Sequence, residues 1–286
     1  MPQTRAICRA MLNTAPSSLP FLKMHGLGND FVVIDMRTAD VPLSQALVCA
    51  IADRHRGVGF DQLATVEATQ NADAHLTFYN ADGSTSAACG NATRCIARLL
   101  MNETGATDIT LTTDRGTLVA QDAGGGLTSV NMGQPQLDWQ DIPLVRELDT
   151  LHLPIEGDPV ATGMGNPHCT FFVDDAGAID LNDLEKFEHH PLYPQRTNVQ
   201  AASLIAPNHL RMRVWERGVG PTLASGSSSC AVAVAAHRRG LTDRKVTITL
   251  DGGDIQIDWR EDGVWMTGPT AHVFSGTFTD AFLASL

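Results

Sequence analysis

Chemistry in this chain starts at Cys89-Gly90-Asn91. The preceding run, His75-Leu76-Thr77-Phe78-Tyr79, alternates as a half-buried strand does. It passes through Asn80-Ala81-Asp82-Gly83-Ser84, a turn composition. From Cys89 onward the chain reads as helix to about Met101. The sulfur is therefore expected at a helix N-terminus, where free backbone N–H groups and the positive end of the dipole converge. That position is expected to lower the thiol pKa by favouring thiolate. The same N–H groups would hold a carboxylate. One short stretch could thus supply a base and an anion cradle. The alternative is a buried structural cysteine, since free Cys is among the most buried residue types.

Composition limits the classes available. With 286 residues, 43% hydrophobic and 18% charged, the chain can bury a large core in one or two domains. A net charge of -12 argues against nucleic acid or an anionic membrane as partner, yet leaves an anionic small molecule open, because local donors can overrule the global field. No apolar run is long enough to span a bilayer. The six cysteines form no CxxC pair and no zinc-type spacing, and the histidines form neither HxH nor HExxH. Reduced thiols, a cytoplasmic location and no metal are expected. Residues 1–20, with Arg5, Arg9 and three prolines but no acid, read as a disordered extension, with organelle targeting as the alternative.

The chain then repeats itself. Gly26-Leu27-Gly28-Asn29 matches Gly163-Met164-Gly165-Asn166, and Ser225 comes after Asn166 at nearly the interval by which Cys89 comes after Asn29. Asn80 precedes Cys89 by as much as Glu216 precedes Ser225. Gly90 answers Gly226, and each opens a helical run, the second closed by Gly240. Asp114-Arg115-Gly116 is matched to Leu250-Asp251-Gly252, and Met132-Gly133 to Thr267-Gly268. These matches predict an α+β fold of two pseudo-symmetric halves, each a mostly antiparallel, barrel-like sheet wrapped round a central helix. The boundaries are 21–140 plus 273–286 for the first half and 141–272 for the second, with 134–149 as the crossing. The helix starts at Cys89 and Ser225 are expected to face each other across a cleft.

At these residues the sequence resembles diaminopimelate epimerase, of the superfamily that also holds proline racemase and the phenazine-pathway isomerases. The carriers are KMHGLGNDF (23–31), GFDQ (59–62), FYNADGS (78–84), ACGN (88–91), GNPHC (165–169), TNV (197–199) and WERGVGPTLASGS (215–227), within a match spanning 21–276. The resemblance implies a cofactor-free, two-base inversion at an amino-acid α-carbon, converting LL- to meso-diaminopimelate, and a homodimer. It implies Cys89 as one base, and Gly90, Asn91, Gly226 and Ser227 as helix-start donors to the reacting carboxylate. Asn29, Gln62, Asn80, Asn166, Asn198 and Arg217 would contact the substrate's other polar groups. Glu216 would serve both a distal ammonium and, with His168, the tuning of the two thiols.

The sequence departs from the family at Ser225, where the pattern has the second cysteine, and in Ser227-Ser228-Ser229 beyond it. Ala92-Thr93 also replaces a more usual Gly-Ala. Cys230, five residues along the helix, points about 140° away from Ser225 and is a poor substitute base. An alcohol holds its proton far more tightly than a thiol, and a general acid–base group contributes about 10²–10⁴-fold. Three readings stay open: an epimerase impaired by a Cys-to-Ser change, engineered or natural; a one-base dehydratase or isomerase; and a non-catalytic amino-acid-binding homologue.

Overall fold

The computed structural model describes residues 19–37 and 42–285. The expected N-terminal extension lies outside the described residues except for its end. Leu19 and Pro20 are not part of it: they open a strand, and Leu19 is fully buried opposite Phe278.

The first half runs β1 (Leu19–Gly26), β2 (Asn29–Asp35), α1 (Gln45–Ala52), β3 (Gln62–Glu67), β4 (Ala74–Asn80), β5 (Thr85–Ser86), α2 (Gly90–Thr104), β6 (Asp108–Thr113), β7 (Gly116–Gly124) and β8 (Leu127–Asn131). The second repeats it as β9 (Val160–Gly163), β10 (Pro167–Phe172), α3 (Glu185–Glu188), β11 (Asn198–Ala206), β12 (His209–Glu216), β13 (Gly220–Thr222), α4 (Gly226–Arg238), β14 (Lys245–Leu250), β15 (Gly253–Arg260) and β16 (Gly263–Gly268). Then β17 (Ala271–Phe278) returns to pair with β1, and α5 (Asp280–Leu283) closes the chain.

Pairing is the same in both halves. β2–β3 and β10–β11 are parallel, as are β4–β6 and β12–β14. The hairpins β3–β4, β6–β7 and β7–β8 answer β11–β12, β14–β15 and β15–β16, all antiparallel. The two sets of strands are joined through β8 and β16, so hydrogen bonding runs through seventeen described strands. In that junction Val130 pairs with Met266. Both residues hold the same place in their halves, opposite Ala120 and Ile257. The pseudo-twofold axis therefore passes through this pair.

Helix α2 is amphipathic and packs Ala92, Cys95, Ile96 and Leu100 inward, ending at Gly105 with φ +75°. Helix α4 is built of small apolar residues from Cys230 to Ala236, and all of these are buried. Small side chains let strands close round it on every side.

One match needs correction. The hairpin partner of Asp114-Arg115-Gly116 is Asp251-Gly252-Gly253, one residue on, because Gly116 (φ +124°) and Gly253 (φ +129°) hold the same place opposite Thr113 and Leu250. The segment 134–149 is anchored at two places. Gln136 bridges Gly163, and Ile142 and Leu144 are buried in an apolar cluster with Leu153, Phe171 and Leu184. Nearby prolines and charges obscured those two anchors in the sequence.

Candidate active site

Both reactive positions are helix N-caps. Cys89 (φ −143°, ψ 103°) precedes α2 and Ser225 (φ −136°, ψ 119°) precedes α4. Neither side chain caps its own helix, so each is free to point elsewhere. The next turn is mirrored: Thr93 Oγ1 donates to the Cys89 carbonyl and Ser229 Oγ to the Ser225 carbonyl, both at 2.8 Å. The two helix starts meet over Met266 on the pseudo-axis. A Cβ on Gly90 would come within 3.1 Å of Met266 Cε, and one on Gly226 within 2.9 Å of Met266 Sδ. Both positions are bare because the halves approach so closely there.

The expected lowering of the Cys89 thiol pKa is reversed. Burial pushes it up to about 12, outweighing the N–H groups of Ala92 and Asn91 that pull it down, and Glu216 adds repulsion. The helix start acts in the expected direction; desolvation in the cleft is larger.

Ser225 is 4% exposed, and its Oγ donates to Glu216 Oε2 at 2.9 Å. Thr222 Oγ1 donates to the other oxygen at 2.6 Å. Burial raises the Glu216 pKa, against these two hydrogen bonds, and Asp61 adds to the rise. Glu216 is thus tied to Ser225 and Thr222, one hydrogen bond to each carboxylate oxygen.

The polar residues gather by half. Gln62 Nε2 donates to Asn80 Oδ1 (3.2 Å) across β3–β4. Asn91 Nδ2 donates to Asn29 Oδ1 (3.1 Å), and Asn29 Nδ2 to Asp61 Oδ2 (2.9 Å). In the second half Asn166 Nδ2 reaches Ser227 Oγ at 3.5 Å, and Asn166 Oδ1 lies 2.9 Å from His168 Nε2. Asn198 Oδ1 accepts from the Arg217 backbone N–H at 3.0 Å. The Arg217 guanidinium donates to the Gln195 carbonyl and has no carboxylate partner among the described residues. It is free for an anion.

His168 stands differently from expectation. It is fully buried, with Nδ1 3.0 Å from Gln200 Nε2, and its hydrogen bonds go to Asn166, Gln200 and Ser228 rather than to Cys89. Burial holds its pKa down to about 3, with Arg115 and Arg217 adding repulsion.

Sequence reasoning missed four supports. Thr222 holds Glu216, and Asp61 anchors Asn29. Glu188 accepts from Trp215 Nε1 (2.6 Å) and the Gly218 N–H (2.8 Å), fixing the turn that carries Arg217. Met266 separates the helix starts. Asp61 could have been found inside GFDQ; nothing in the sequence marks Glu188.

Two duplicated halves with facing helix starts define a known class. The fold matches a PhzF-family phenazine biosynthesis protein from Bacillus anthracis at TM-score 0.66 and 15% identity, covering 92% of this chain and 99% of that one. It matches a hydroxyproline epimerase from Agrobacterium vitis at TM-score 0.62 and 14% identity, covering 91% of each chain. These likenesses show the fold alone.

The diaminopimelate epimerase family model matches residues 21–137 and 160–273, and the chain belongs to that family. It is 51% identical over 272 residues to the diaminopimelate epimerase of Acidiphilium cryptum, covering 93% of this chain and 98% of that protein. It is 52% identical over 264 residues to that of Gluconobacter oxydans, covering 91% and 99%. No helix among the described residues is long and apolar enough to cross a membrane.

Proposed function

We propose that this chain epimerises diaminopimelate at one α-carbon, interconverting the LL and meso forms without a cofactor, as a cytoplasmic homodimer serving lysine and peptidoglycan-precursor synthesis. The observation that carries the reading is the pair of mirrored helix starts, with Cys89 at one and the Ser225–Glu216 pair at the other. An α-proton beside a carboxylate is weakly acidic, so the carbanion must be stabilised. The N–H groups of Gly90, Asn91, Gly226 and Ser227 would do this at the reacting carboxylate, in a site shielded from water. Asn29, Gln62, Asn80, Asn166, Asn198 and the unpaired Arg217 would hold the remaining polar groups.

Cys89 would release its proton to solvent as the substrate's α-ammonium brings positive charge into the site, and the thiolate would then take the α-proton. On the other face the Ser225 hydroxyl, hydrogen-bonded to Glu216, would give its proton to the carbanion, and Glu216, once protonated, would return one to Ser225. The reverse reaction runs these transfers backwards. A hydroxyl in place of a thiol slows inversion by about 10²–10⁴-fold.

The test is α-proton exchange in heavy water, followed by NMR for each stereoisomer, with the parent and Ser225→Cys. The parent is expected to exchange one stereoisomer much faster than it inverts it, and the Cys variant to invert both. Absence of exchange in both proteins would reject diaminopimelate as substrate.

A further inference from the structure

Arg94, in the second turn of α2, is 0% exposed. Among the described residues its guanidinium meets no carboxylate. Nε donates to the Pro269 carbonyl (3.3 Å), Nη1 to Asn91 Oδ1 (3.0 Å), and Nη2 has no partner. Two glycines make room for it. A Cβ on Gly26 would lie 2.8 Å from Nη2, and one on Gly268 3.4 Å from Cζ. Gly26 has no positive φ, so space is what it supplies. An unpaired cation buried at such cost to folding points to use elsewhere.

Its one side-chain partner leads into the site. Arginine has no acceptor, so Nη1 must face the Asn91 oxygen, which turns the Asn91 amide nitrogen toward Asn29 Oδ1 (3.1 Å). That in turn points Asn29 Nδ2 at Asp61 Oδ2 (2.9 Å). The chain Arg94–Asn91–Asn29–Asp61 is charged positive at one end and negative at the other, so its two amides have one orientation each. Both amides belong to the proposed substrate contacts, and the inference rests on that reading. In α4 the place of Arg94 is held by Cys230, as Thr93 is matched by Ser229, so the cation stands behind the Cys89 helix alone.

We propose that Arg94 is a positioning residue of the site: its uncompensated guanidinium fixes the Asn91 and Asn29 amides and adds positive potential behind the α2 start for the substrate carboxylate and the Cys89 thiolate. The titratable groups whose charge acts on it are the thiols of Cys89 at the α2 start, Cys95 on α2 and Cys230 on α4; Glu216 on β12 acts on Cys89, and Arg115 on Cys230.

The experiment titrates Cys89 by alkylation rate against pH, read peptide by peptide by mass spectrometry. It compares the parent with Arg94→Met and Arg94→Lys, and adds thermal melts and the KM and kcat of α-proton exchange. Arg94→Met is expected to melt no lower than the parent, because a buried unpaired charge has gone. Its Cys89 alkylation below the thiol pKa should fall about tenfold, as for loss of a nearby cation. Arg94→Lys should restore the titration but not KM, since an ammonium cannot make the planar fork to Asn91 and Pro269. A folded Met variant with unmoved Cys89 titration and unmoved KM overturns the proposal. If the Met variant does not fold, an unchanged KM in the Lys variant overturns it. If the parent exchanges no diaminopimelate, the epimerase reading falls, and the Cys89 titration still decides the role of Arg94.

Discussion

Lowering the pH from 7 to 5 is expected to remove about 2 kcal/mol of stability through His168 alone. The ring is fully buried and its hydrogen bonds require the neutral form. Thr170 Oγ1 donates to Gln200 Oε1 at 3.1 Å, which leaves Gln200 Nε2 to donate to His168 Nδ1 at 3.0 Å. Nδ1 must then be an acceptor, and the ring proton sits on Nε2, facing Asn166 Oδ1 at 2.9 Å. A second proton on Nδ1 would meet an N–H donor in a site already repelled by Arg115 and Arg217.

The folded pKa of about 3 lies below the unfolded value of 6.5. Stability from the neutral ring is therefore complete above pH 6.5. It is lost below that at up to about 1.4 kcal/mol per pH unit until the folded pKa is reached. From pH 6.5 to 5 this gives about 2 kcal/mol. Urea unfolding at pH 7, 6 and 5 should show the loss in the parent. In His168→Gln the acid-dependent part should shrink by that amount, whatever the variant's stability at pH 7. Nitrogen NMR of the ring should report the neutral Nε2–H tautomer at pH 5. A ring titrating near pH 6 in the folded protein, or equal pH slopes in both proteins, would refute the reasoning.

Two further outcomes are expected from contacts of the second half. Glu216→Gln should leave exchange from the Cys89 face intact and abolish inversion, read in the heavy-water assay. Because the folded Glu216 pKa is raised, its carboxylate costs more stability as pH climbs, so the Gln variant should gain more in melting temperature at pH 8 than at pH 5. Gly252→Ala would drive a Cβ into the Leu27 carbonyl, where the second-half hairpin packs on the first-half glycine turn. Urea unfolding should show a loss of about 1–3 kcal/mol, as for overpacking, and an unchanged midpoint would contradict that packing.

Much of this was legible in the sequence because the duplication supplied its own internal control. Paired landmarks placed both helix starts and gave the order of strands within each half. The repeat also limited the errors. A one-residue difference between the halves shifted the hairpin match from Gly253 to Gly252, since only glycine φ values, not letters, separate adjacent glycines. At Cys89 the sequence shows the helix start that favours thiolate and hides the burial that opposes it. The motif at His168 points to the thiols. Its actual partners, Gln200 and Ser228, come from strands and helices brought together only by folding.

The departures from symmetry carry a chemical sense of their own. The duplication would by itself make two equal faces, with nothing to choose which of them removes the proton and which returns it. Behind Cys89 stands Arg94, a cation with no counter-ion among the described residues; its counterpart in the other half is the uncharged Cys230. Beside Ser225 stands Glu216, with its pKa raised; its counterpart is the neutral Asn80. Positive charge on the Cys89 side would favour the deprotonated form once substrate is bound, and the raised Glu216 pKa would favour proton delivery on the Ser225 side. On the proposed reading the Cys89 face would remove the proton and the Ser225 face would return one. Exchange should therefore be fastest for the stereoisomer whose α-hydrogen points at Cys89. Faster exchange from the Ser225 face would reverse that assignment while leaving the fold and the family untouched.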